Sequence, residues 1–356
     1  MTPQEAVLNG SMMTLPQFQG LHDAYLAVTG HIAGHHEYAN APRGNASREC
    51  LHMGFTLTNP VNRVPFLAVR KINIVFHFAE ALWYLWGRDD LEMMAYYAPQ
   101  MRSYSMDGKT LRGSAYGSRL FSAPPGGGES AFDQVLKVIR EDPATKRAVM
   151  TMFRPEELAV PGNLDVACVL AFQLLLRDGR LHAVCYMRAN DADQGLLSDV
   201  FSFTLLQEFA ARLLGVPVGT YSHYAGSMHI ADGNLPRIRE SLAEARGADR
   251  AGPLFDFPEM PEDASWVDLQ TVQVHEEMLR TNHRSHTPET IAETGVAPYW
   301  QQILLLFEAH RQIKHTEEPV GADVLTSLDS GFRWLLHHRW PGRVPALAAR
   351  DGSALR

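Results

Sequence analysis

The sequence predicts a mixed α/β (α+β) domain in which a β-sheet is flanked by helices. Alternating or continuous apolar runs in the middle of the chain indicate strands, and apolar residues at three- and four-residue spacing on both sides indicate helices. No internal repeat or linker interrupts this pattern, and strands surrounded by helices favour one mixed domain. We therefore expect a single domain over residues 1–340 and a weakly ordered tail over 341–356.

The expected elements follow from this periodicity in chain order. Strands are predicted at 148–153, 168–176, 180–187 and 216–230. Helices are predicted at about 15–34, 68–86, 130–141, 201–214, 233–246, 265–280, 297–314 and 322–338. Polar, Gly-containing stretches at 40–48 and 100–128 indicate loops, and Asp178-Gly179 is typical of a two-residue hairpin turn. Residues 1–14 are expected to form a loose leader.

The composition restricts the function classes. A net charge of −8 gives no positive field to capture phosphate backbones, which argues against a general nucleic-acid binder. The 16 histidines show no HExxH-type spacing, so no metal site is expected. The three cysteines are unlike a disulfide framework, and neither a signal peptide nor a membrane-length apolar stretch is evident; we expect a cytoplasmic protein.

Cys168 is the candidate nucleophile. It opens a predicted strand after the loop 161–165, so its side chain can face a cleft. The predicted hairpin brings Arg188 close to it, and a guanidinium beside a thiol favours the nucleophilic thiolate. A cysteine in an apolar strand is more often a small core residue, which is how we interpret Cys185. The alternative for Arg188 is a surface ion pair.

Several short segments resemble the thymidylate synthase family. Each match is weak alone, but their shared order over about residues 40–240 is specific. The matching segments are Glu80 to Gly87, Tyr116-Gly117, Ala167-Cys168 with Ala171-Phe172-Gln173, Met187 to Asp191, Gly195-Leu196 with Asp199 and Ser202, and Gly226 to Ile230. The resemblance implies a thymidylate synthase-like catalytic domain and a homodimer joined through a face of the sheet.

The resemblance also implies a role for each matching side chain. Cys168 would add to C6 of a pyrimidine nucleotide, and C5 would then take a one-carbon unit from the co-substrate 5,10-methylenetetrahydrofolate. Glu80 would organise proton transfer through water, and Tyr116 would order the proton network near C5. The alternative for Glu80, a solvated helix glutamate, is disfavoured by its apolar neighbours.

A second set of residues would bind the nucleotide. The phosphate would be held by Arg43, Lys146, Arg147 and Arg188, because cationic donors suit an anionic oxygen cluster. Arg48 lies in the same loop as Arg43 and is an alternative to it. The pair Lys146-Arg147 would reach in from the second subunit, which implies an obligate homodimer. The remaining substrate-binding residues would be Ala189, Asp191, Gly195, Asp199 and His229.

Asp199 replaces an asparagine of the resembled family, and this difference bears on the base. A carboxyl group can accept a hydrogen bond from the amino group of cytosine and, when protonated, donate one to N3. Asp at this position resembles the deoxycytidylate hydroxymethylases and predicts a cytosine nucleotide. The alternative is that Asp199 only caps a helix that begins near Val200.

Five further differences bear on the sugar and the product. Ala231 replaces a sugar-binding tyrosine, Ala189 a serine, and Lys146 an arginine, which together favour a ribonucleotide, CMP, over dCMP. Val169 replaces a histidine, and the family's closing segment is not recognisable in 346–356. These last changes favour hydration of the one-carbon unit over its reduction.

The sequence thus predicts CMP 5-hydroxymethylation that yields tetrahydrofolate, as in the hydroxymethylases of nucleoside-antibiotic pathways. The enzymatic alternatives are dCMP hydroxymethylation and methylation of dUMP by a true thymidylate synthase. The third alternative is a non-enzymatic nucleotide- or RNA-binding protein with the same fold. The presence of Cys168, Arg188 and Glu80 argues against it.

Overall fold

The computed structural model describes residues 14–123, 126–247 and 255–346. Its strands are β1 (Gln17–Phe18), β2 (Tyr38–Asn40), β3 (Ser47–Leu57), β4 (Val149–Thr151), β5 (Val169–Arg177), β6 (Arg180–Asp191) and β7 (Val218–Ala231). They form one sheet in the order β1-β3-β7-β6-β5-β4, with β2 paired to β3. The pairs β1–β3 and β6–β7 are parallel and the others antiparallel, so the sheet is mixed.

Helices lie between these strands in the chain and after the last one. They are α1 (Leu21–His35), α2 (Ile74–Leu85), α3 (Leu91–Tyr97), α4 (Tyr116–Leu120), α5 (Ala131–Glu141), α6 (Gly195–Leu214), α7 (Leu235–Arg246), α8 (Trp266–Arg280), α9 (Pro288–Ala292), α10 (Pro298–His315), α11 (Ala322–Ser327) and α12 (Ser330–Arg339). The predicted fold class, a mixed sheet flanked by helices, is confirmed. Within the described ranges, no helix is long and apolar enough to cross a membrane.

The core lies between one face of the sheet and the helices α1 and α6. Along β6 the side chains of Leu181, Ala183, Cys185 and Met187 are buried, as the two-residue period of a strand requires when only one face is covered. Helix α2 packs on α6, and α10 packs on α2 and α8. The other face of the sheet carries exposed or half-exposed side chains, including Tyr186.

Local signals place several elements correctly. Asp178 and Gly179 both have positive φ angles, 49° and 70°, which identifies the predicted two-residue hairpin turn. Ser130 caps α5 by accepting from the Asp133 N–H at 3.1 Å, so that helix begins where it was predicted.

Other predictions are wrong at the boundaries. Strand β3 was not predicted at all, and part of the predicted loop 40–48 belongs to β2 and β3. Helix α2 begins at Ile74 rather than near 68, because the Asn73 side chain accepts from the Phe76 N–H and starts the helix there. The predicted helix 15–34 begins only at Leu21, since Gln17–Phe18 pairs with β3.

Two more corrections concern the end of the chain. The predicted helix 322–338 is two helices, because the Asp329 side chain accepts from the Gly331 N–H at 2.8 Å and starts a new one. Residues 341–346, predicted to be weakly ordered, pack on the domain, with Val344 buried and the Arg343 guanidinium donating to the Ile313 carbonyl. Residues 1–13 and 347–356, which include most of the predicted leader and closing segment, lie outside the described residues.

Candidate active site

The hairpin of β5 and β6 brings Cys168 and Arg188 together, as predicted. Val169 pairs with Met187, and the Arg188 N–H donates to the Cys168 carbonyl at 2.8 Å. The Arg188 guanidinium then folds over the start of β5, where it donates to the carbonyls of Ala167 and Val166 and lies 3.5 Å from the Cys168 sulfur. Its position beside the thiol is therefore fixed by three hydrogen-bonding contacts.

The thiol of Cys168 is half-buried, and its surroundings act on it in two directions. Burial raises the pKa of Cys168, while the guanidinium groups of Arg188 and Arg43 lower it. Arg188 thus lowers the pKa of the thiol, as predicted, but burial raises it by more. The two arginines are the groups that would stabilise a thiolate as it forms. Cys185, by contrast, is buried in the core as expected.

Tyr116 fixes the backbone of the nucleophile. Its phenol oxygen accepts hydrogen bonds from the N–H groups of Cys168 at 3.2 Å and Val169 at 3.4 Å. The ring is held between Tyr84 and Phe203, with centroids 5.4 and 5.8 Å away. Burial raises the pKa of Tyr116 well above its ordinary value, so the phenol remains protonated and its hydroxyl hydrogen is available to a further acceptor.

The loop before Cys168 is anchored by Asp165, a residue that the sequence did not single out. The Asp165 carboxylate accepts from the N–H groups of Gly113 and Ser114, both at 2.8 Å. Gly113 is required there, because a Cβ atom at this position would lie 1.7 Å from the Asp165 carbonyl oxygen. This close approach holds the segment that presents the nucleophile.

A cavity of about 490 Å³ lies next to Tyr116, whose hydroxyl contacts the Cys168 backbone, and five of the predicted residues line it, whereas Cys168 itself does not. The predicted residues that line it are Glu80, Tyr116, Asp191, Gly195 and Asp199. Glu80 projects from α2 and is buried. Burial, and then the nearby Asp199 carboxyl, raise the pKa of Glu80 to about 8, whereas the hydroxyls of Ser202 and Ser198 oppose the rise. A carboxyl group with a pKa near neutrality can both donate and accept a proton at physiological pH.

Asp199 lies within α6, so the alternative that it caps this helix is wrong. The helix begins at Gly195, and Asp199 is in its second turn with its side chain toward the cavity. Its Oδ2 atom accepts from the Asn190 amide at 2.6 Å, and a Cβ atom at Gly195 would crowd this pair, at 3.1 Å from the Asn190 nitrogen. Burial raises the pKa of Asp199 to about 7. Asn190, whose partner role was not predicted, therefore orients this carboxyl group.

The predicted sugar and phosphate residues divide into two groups. Arg43 lies close enough to Cys168 to lower the thiol pKa, whereas Arg48 pairs with Asp232 at 3.3 Å. These contacts favour Arg43 as the phosphate ligand. His229 is paired with Asp191 in the register of β6 and β7, next to the strand end that carries Ala189.

Lys146 and Arg147 do not join this group within one chain. Both are exposed just before β4, which pairs with β5 near Gln173. Gln173 is five positions along β5 from Cys168, which corresponds to roughly 17 Å of extended chain. Arg147 lies 4.0 Å from Asp142 in this structure.

The end of the cavity formed by Arg70, Arg237 and Arg339 is strongly positive, a feature that the sequence did not reveal. Asp193 is buried and pairs with both Arg70, at 3.2 Å, and Arg237. Arg339 instead places its guanidinium 5.6 Å from the centroid of the Trp340 ring. Burial, together with the charges of Arg70 and Arg237, lowers the pKa of Arg339. This end of the cavity thus has three guanidinium groups and only one paired carboxylate, that of Asp193, which favours an anionic ligand there.

A larger cavity, of about 660 Å³, lies on the other side of Asp165. Its charged residues largely neutralise one another: Arg119 pairs with Glu157 at 2.5 Å and Arg112 with Asp107 at 3.6 Å. Because the two perturbed carboxyl groups, the arginine cluster and Tyr116, whose hydroxyl contacts the backbone of Cys168, line the smaller cavity, that cavity is the candidate active site.

Comparisons with known proteins identify the family of the chain. The chain matches the family model described as Thymidylate synthase over residues 23–276. It is 31% identical over 240 residues to a deoxyuridylate hydroxymethyltransferase of Bacillus phage SP01, covering 62% of the chain and 61% of that relative, which is less than two thirds of the relative's length. It is 28% identical over 298 residues to a deoxyuridylate hydroxymethyltransferase of Pseudomonas phage M6, covering 79% and 82%. A thymidylate synthase of Symbiobacterium thermophilum is 30% identical over 194 residues, covering 50% of the chain and 66% of that protein.

Proposed function

The chain belongs to the thymidylate synthase family, and on that premise we propose that it hydroxymethylates C5 of a cytosine nucleotide, with CMP as the favoured substrate. The reaction would consume methylenetetrahydrofolate and water and give 5-hydroxymethyl-CMP and tetrahydrofolate. The observation that carries the proposal is the half-buried carboxyl of Asp199, held by Asn190 at the wall of the cavity that Glu80 and Tyr116 also line. The family model confirms the predicted resemblance, whereas hydroxymethylation and the identity of the nucleotide remain proposals.

The chain's own residues supply the chemistry at the base. Cys168 would form a bond from its sulfur to C6, with Arg188 and Arg43 stabilising the anionic sulfur before attack and after release. Glu80 would exchange protons with the base through water, since its pKa of about 8 leaves both forms populated. Asp199, protonated below about pH 7, would donate to N3 of cytosine and accept from its amino group.

Enzymes of this family use methylenetetrahydrofolate as co-substrate. When bound, it supplies a one-carbon unit at the oxidation level of formaldehyde. The arginine cluster fits this molecule, because a reduced folate ends in a glutamate with two carboxylates. Arg70, Arg237 and Arg339 would hold that anionic end, which leaves the part of the cavity around Glu80 and Asp199 for the reacting groups.

Two small residues support a ribonucleotide. Ala189 follows the phosphate-binding Arg188 on β6, and Ala231 ends β7 two positions after His229. Neither side chain carries a hydroxyl group or occupies much volume, so a 2′-hydroxyl can be accommodated there. The relatives from phages SP01 and M6 are named for deoxyuridylate, which makes a uracil deoxyribonucleotide the second candidate.

The product distinguishes these candidates directly. We expect incubation with methylenetetrahydrofolate and CMP to give a nucleotide one CH2O heavier, with less or no product from dCMP, UMP and dUMP. Mass spectrometry of the four reactions is the measurement, and absorbance reports dihydrofolate. Accumulation of dihydrofolate in step with a methylated nucleotide would overturn hydroxymethylation, and turnover of dUMP alone would overturn the cytosine assignment.

Homodimerisation through the sheet is part of the proposal. The sheet face opposite α6 carries Val149, Leu170 and Tyr186 exposed, and the described residues leave it uncovered. Lys146 and Arg147 are remote from the Cys168 of their own chain, as expected if they complete the phosphate site of a partner. Such a homodimer would have two active sites, each made from both subunits.

Subunit mixing tests the shared site. Inactive Cys168→Ser subunits mixed with inactive Arg147→Ala subunits should regain up to about a quarter of wild-type activity after statistical exchange, because one of the two sites in each hybrid is intact. The measurement is release of tritium from C5 of the nucleotide. A mixture of Cys168→Ser with Cys168→Ser/Arg147→Ala is the matched control and should stay inactive. Hybrids that form but show no activity would refute sharing.

A further inference from the structure

His77 and Ser198 form a polar pair in the wall of the active-site cavity that the chemistry described above does not use. The Ser198 hydroxyl oxygen lies 3.4 Å from His77 Nδ1, and both residues line the cavity. The imidazole is 7% exposed and stacks on Phe201, with ring centroids 5.4 Å apart. Ser198 is only half-buried, so the pair presents polar atoms to the cavity.

The state of His77 determines what Ser198 can offer to the cavity. Burial, and then the charge of Arg70, lower the pKa of His77 to about 3, so the ring is neutral at physiological pH. A neutral imidazole with its proton on Nε2 presents a lone pair at Nδ1. The Ser198 hydroxyl then donates to His77, and its oxygen lone pairs remain as acceptors that point away from the ring.

Glu80 lies next to this pair. His77 and Glu80 are three residues apart on α2, so they share one face of that helix, which packs against α6 and its Ser198. The Ser198 hydroxyl also lies close to the Glu80 carboxyl. A hydroxyl oxygen and a carboxylate therefore flank the same part of the cavity, and both can accept hydrogen bonds.

We propose that Ser198, oriented by His77, and Glu80 together bind the water molecule that hydroxylates the one-carbon unit on the nucleotide. A water that donates one hydrogen bond to Ser198 and the other to Glu80 keeps its lone pairs free to attack. The inference rests on the proposed hydroxymethylase function and specifies which residues select water as the final nucleophile. Ser198 and His77 are positioning residues, since neither exchanges a proton with the base.

The step balances as a conjugate displacement. After the one-carbon unit is transferred, the nucleotide carries an exocyclic methylene on C5 and the Cys168 sulfur on C6. The water oxygen bonds to the methylene carbon, and the electrons of the exocyclic double bond shift to form C5=C6. The C6–S bond breaks and its electron pair returns to the Cys168 sulfur as a thiolate, while Glu80 accepts the proton that the water loses. No oxidant or reductant is required.

The test separates formation of the methylene from its hydration. The variants are Ser198→Ala and His77→Phe, of which the latter keeps an aromatic ring against Phe201 but removes the nitrogen acceptor. Each is run with tritiated CMP, methylenetetrahydrofolate and 2-mercaptoethanol, a thiol that captures an unhydrated methylene as a thioether. Single-turnover tritium release reports every step up to the methylene, and the ratio of hydroxymethyl to thioether product reports hydration.

We expect tritium release within about 3-fold of wild type and a hydroxymethyl-to-thioether ratio lowered about 10- to 100-fold, the usual cost of misplacing a reacting group. His77→Asn should restore most of the ratio, because an amide oxygen can accept from Ser198 at nearly the position of Nδ1. The matched control is His223→Phe. His223 is also buried, stacks on Phe55 at 5.4 Å and lies 3.0 Å from a hydroxyl, that of Tyr221, but it belongs to β7 and the core.

Three outcomes would overturn the inference. An unchanged product ratio in both variants would show that the pair does not position the water. An equal loss of tritium release and hydroxymethyl product, with no thioether, would assign His77 and Ser198 to an earlier step. A methylated product from the wild-type enzyme would instead refute the proposed hydroxymethylase function itself, and with it the need for this water.

Discussion

Replacement of Cys168 by serine should lower tritium release from C5 by roughly 10⁴- to 10⁶-fold, the range seen when an enzyme loses its nucleophile. Serine is nearly the same size, but its hydroxyl ionises only at much higher pH, so the bond to C6 cannot form at a useful rate. The contacts of Arg188 with the carbonyls of Ala167 and Val166 do not involve the thiol and should persist. Nucleotide binding is therefore expected to survive.

The measurements for this variant are tritium release and nucleotide affinity by calorimetry. Cys50→Ser is the matched control: Cys50 is buried in β3 and its sulfur lies 3.8 Å from the His35 carbonyl, so serine can keep that contact. The control should retain near wild-type activity. Tritium release from Cys168→Ser at the wild-type rate would remove Cys168 as the nucleophile, and loss of nucleotide binding would assign it a structural role instead.

The juxtaposition of Cys168 and Arg188 could be predicted because it depends on local signals. One hairpin turn at Asp178-Gly179, with both residues at positive φ, sets the register that places the two side chains side by side. Residues within a few positions of one another along paired strands are fixed by the turn between them. Tyr116 and Glu80 come from other elements, so local signals could not place them beside Cys168. Only the family resemblance predicted their roles.

Structural features that depend on contacts between distant segments could not be predicted from the sequence. Strand β3 has no simple alternation: its buried residues Ser47, Cys50, Phe55 and Leu57 are irregularly spaced, and His52 between them has a positive φ angle of 56°. The start of α6 at Gly195 was missed because the Asp191 side chain, rather than a residue beside the helix, accepts from the N–H groups of Asp193 and Gln194. A turn of this kind leaves no periodic pattern of apolar residues in the sequence.

The arginine cluster illustrates the same limit for the site. Arg70 precedes α2, Arg237 lies in α7 and Arg339 ends α12, so tertiary packing alone brings them to one end of the cavity. Each would be interpreted from the sequence as an ordinary surface cation. What distinguishes them is that all three line one end of the cavity, where Arg70 and Arg237 share the single carboxylate of Asp193.

Asp199→Asn should reverse the base preference, with the ratio of kcat/KM for the cytosine to the uracil nucleotide falling by about 10- to 1000-fold, a range typical of sites that read a hydrogen-bond edge. In the wild type, Oδ2 accepts from Asn190, so a proton on the carboxyl resides on Oδ1, where it can serve a ring nitrogen acceptor. An asparagine amide offers a fixed donor and a fixed acceptor instead. This pair matches O4 and N3–H of uracil without requiring a proton on the side chain.

The pH dependence of kcat/KM gives an independent check on this assignment. Burial raises the pKa of Asp199 to about 7, so the protonated form that donates to N3 predominates below that pH and is lost above it. Activity on the cytosine nucleotide should therefore fall as pH rises through about 7 in the wild type, and Asp199→Asn should lack this limb. Glu80 titrates in both proteins, with a lower pKa in the variant because the Asp199 carboxylate no longer opposes its ionisation.

Asp232→Asn, a surface change beside Arg48, is the control and should leave both the pH profile and the base preference unaltered. A cytosine preference that survives in Asp199→Asn would show that another group reads the base, and a wild-type profile flat across pH 6–8 would remove the proton on Asp199 from recognition.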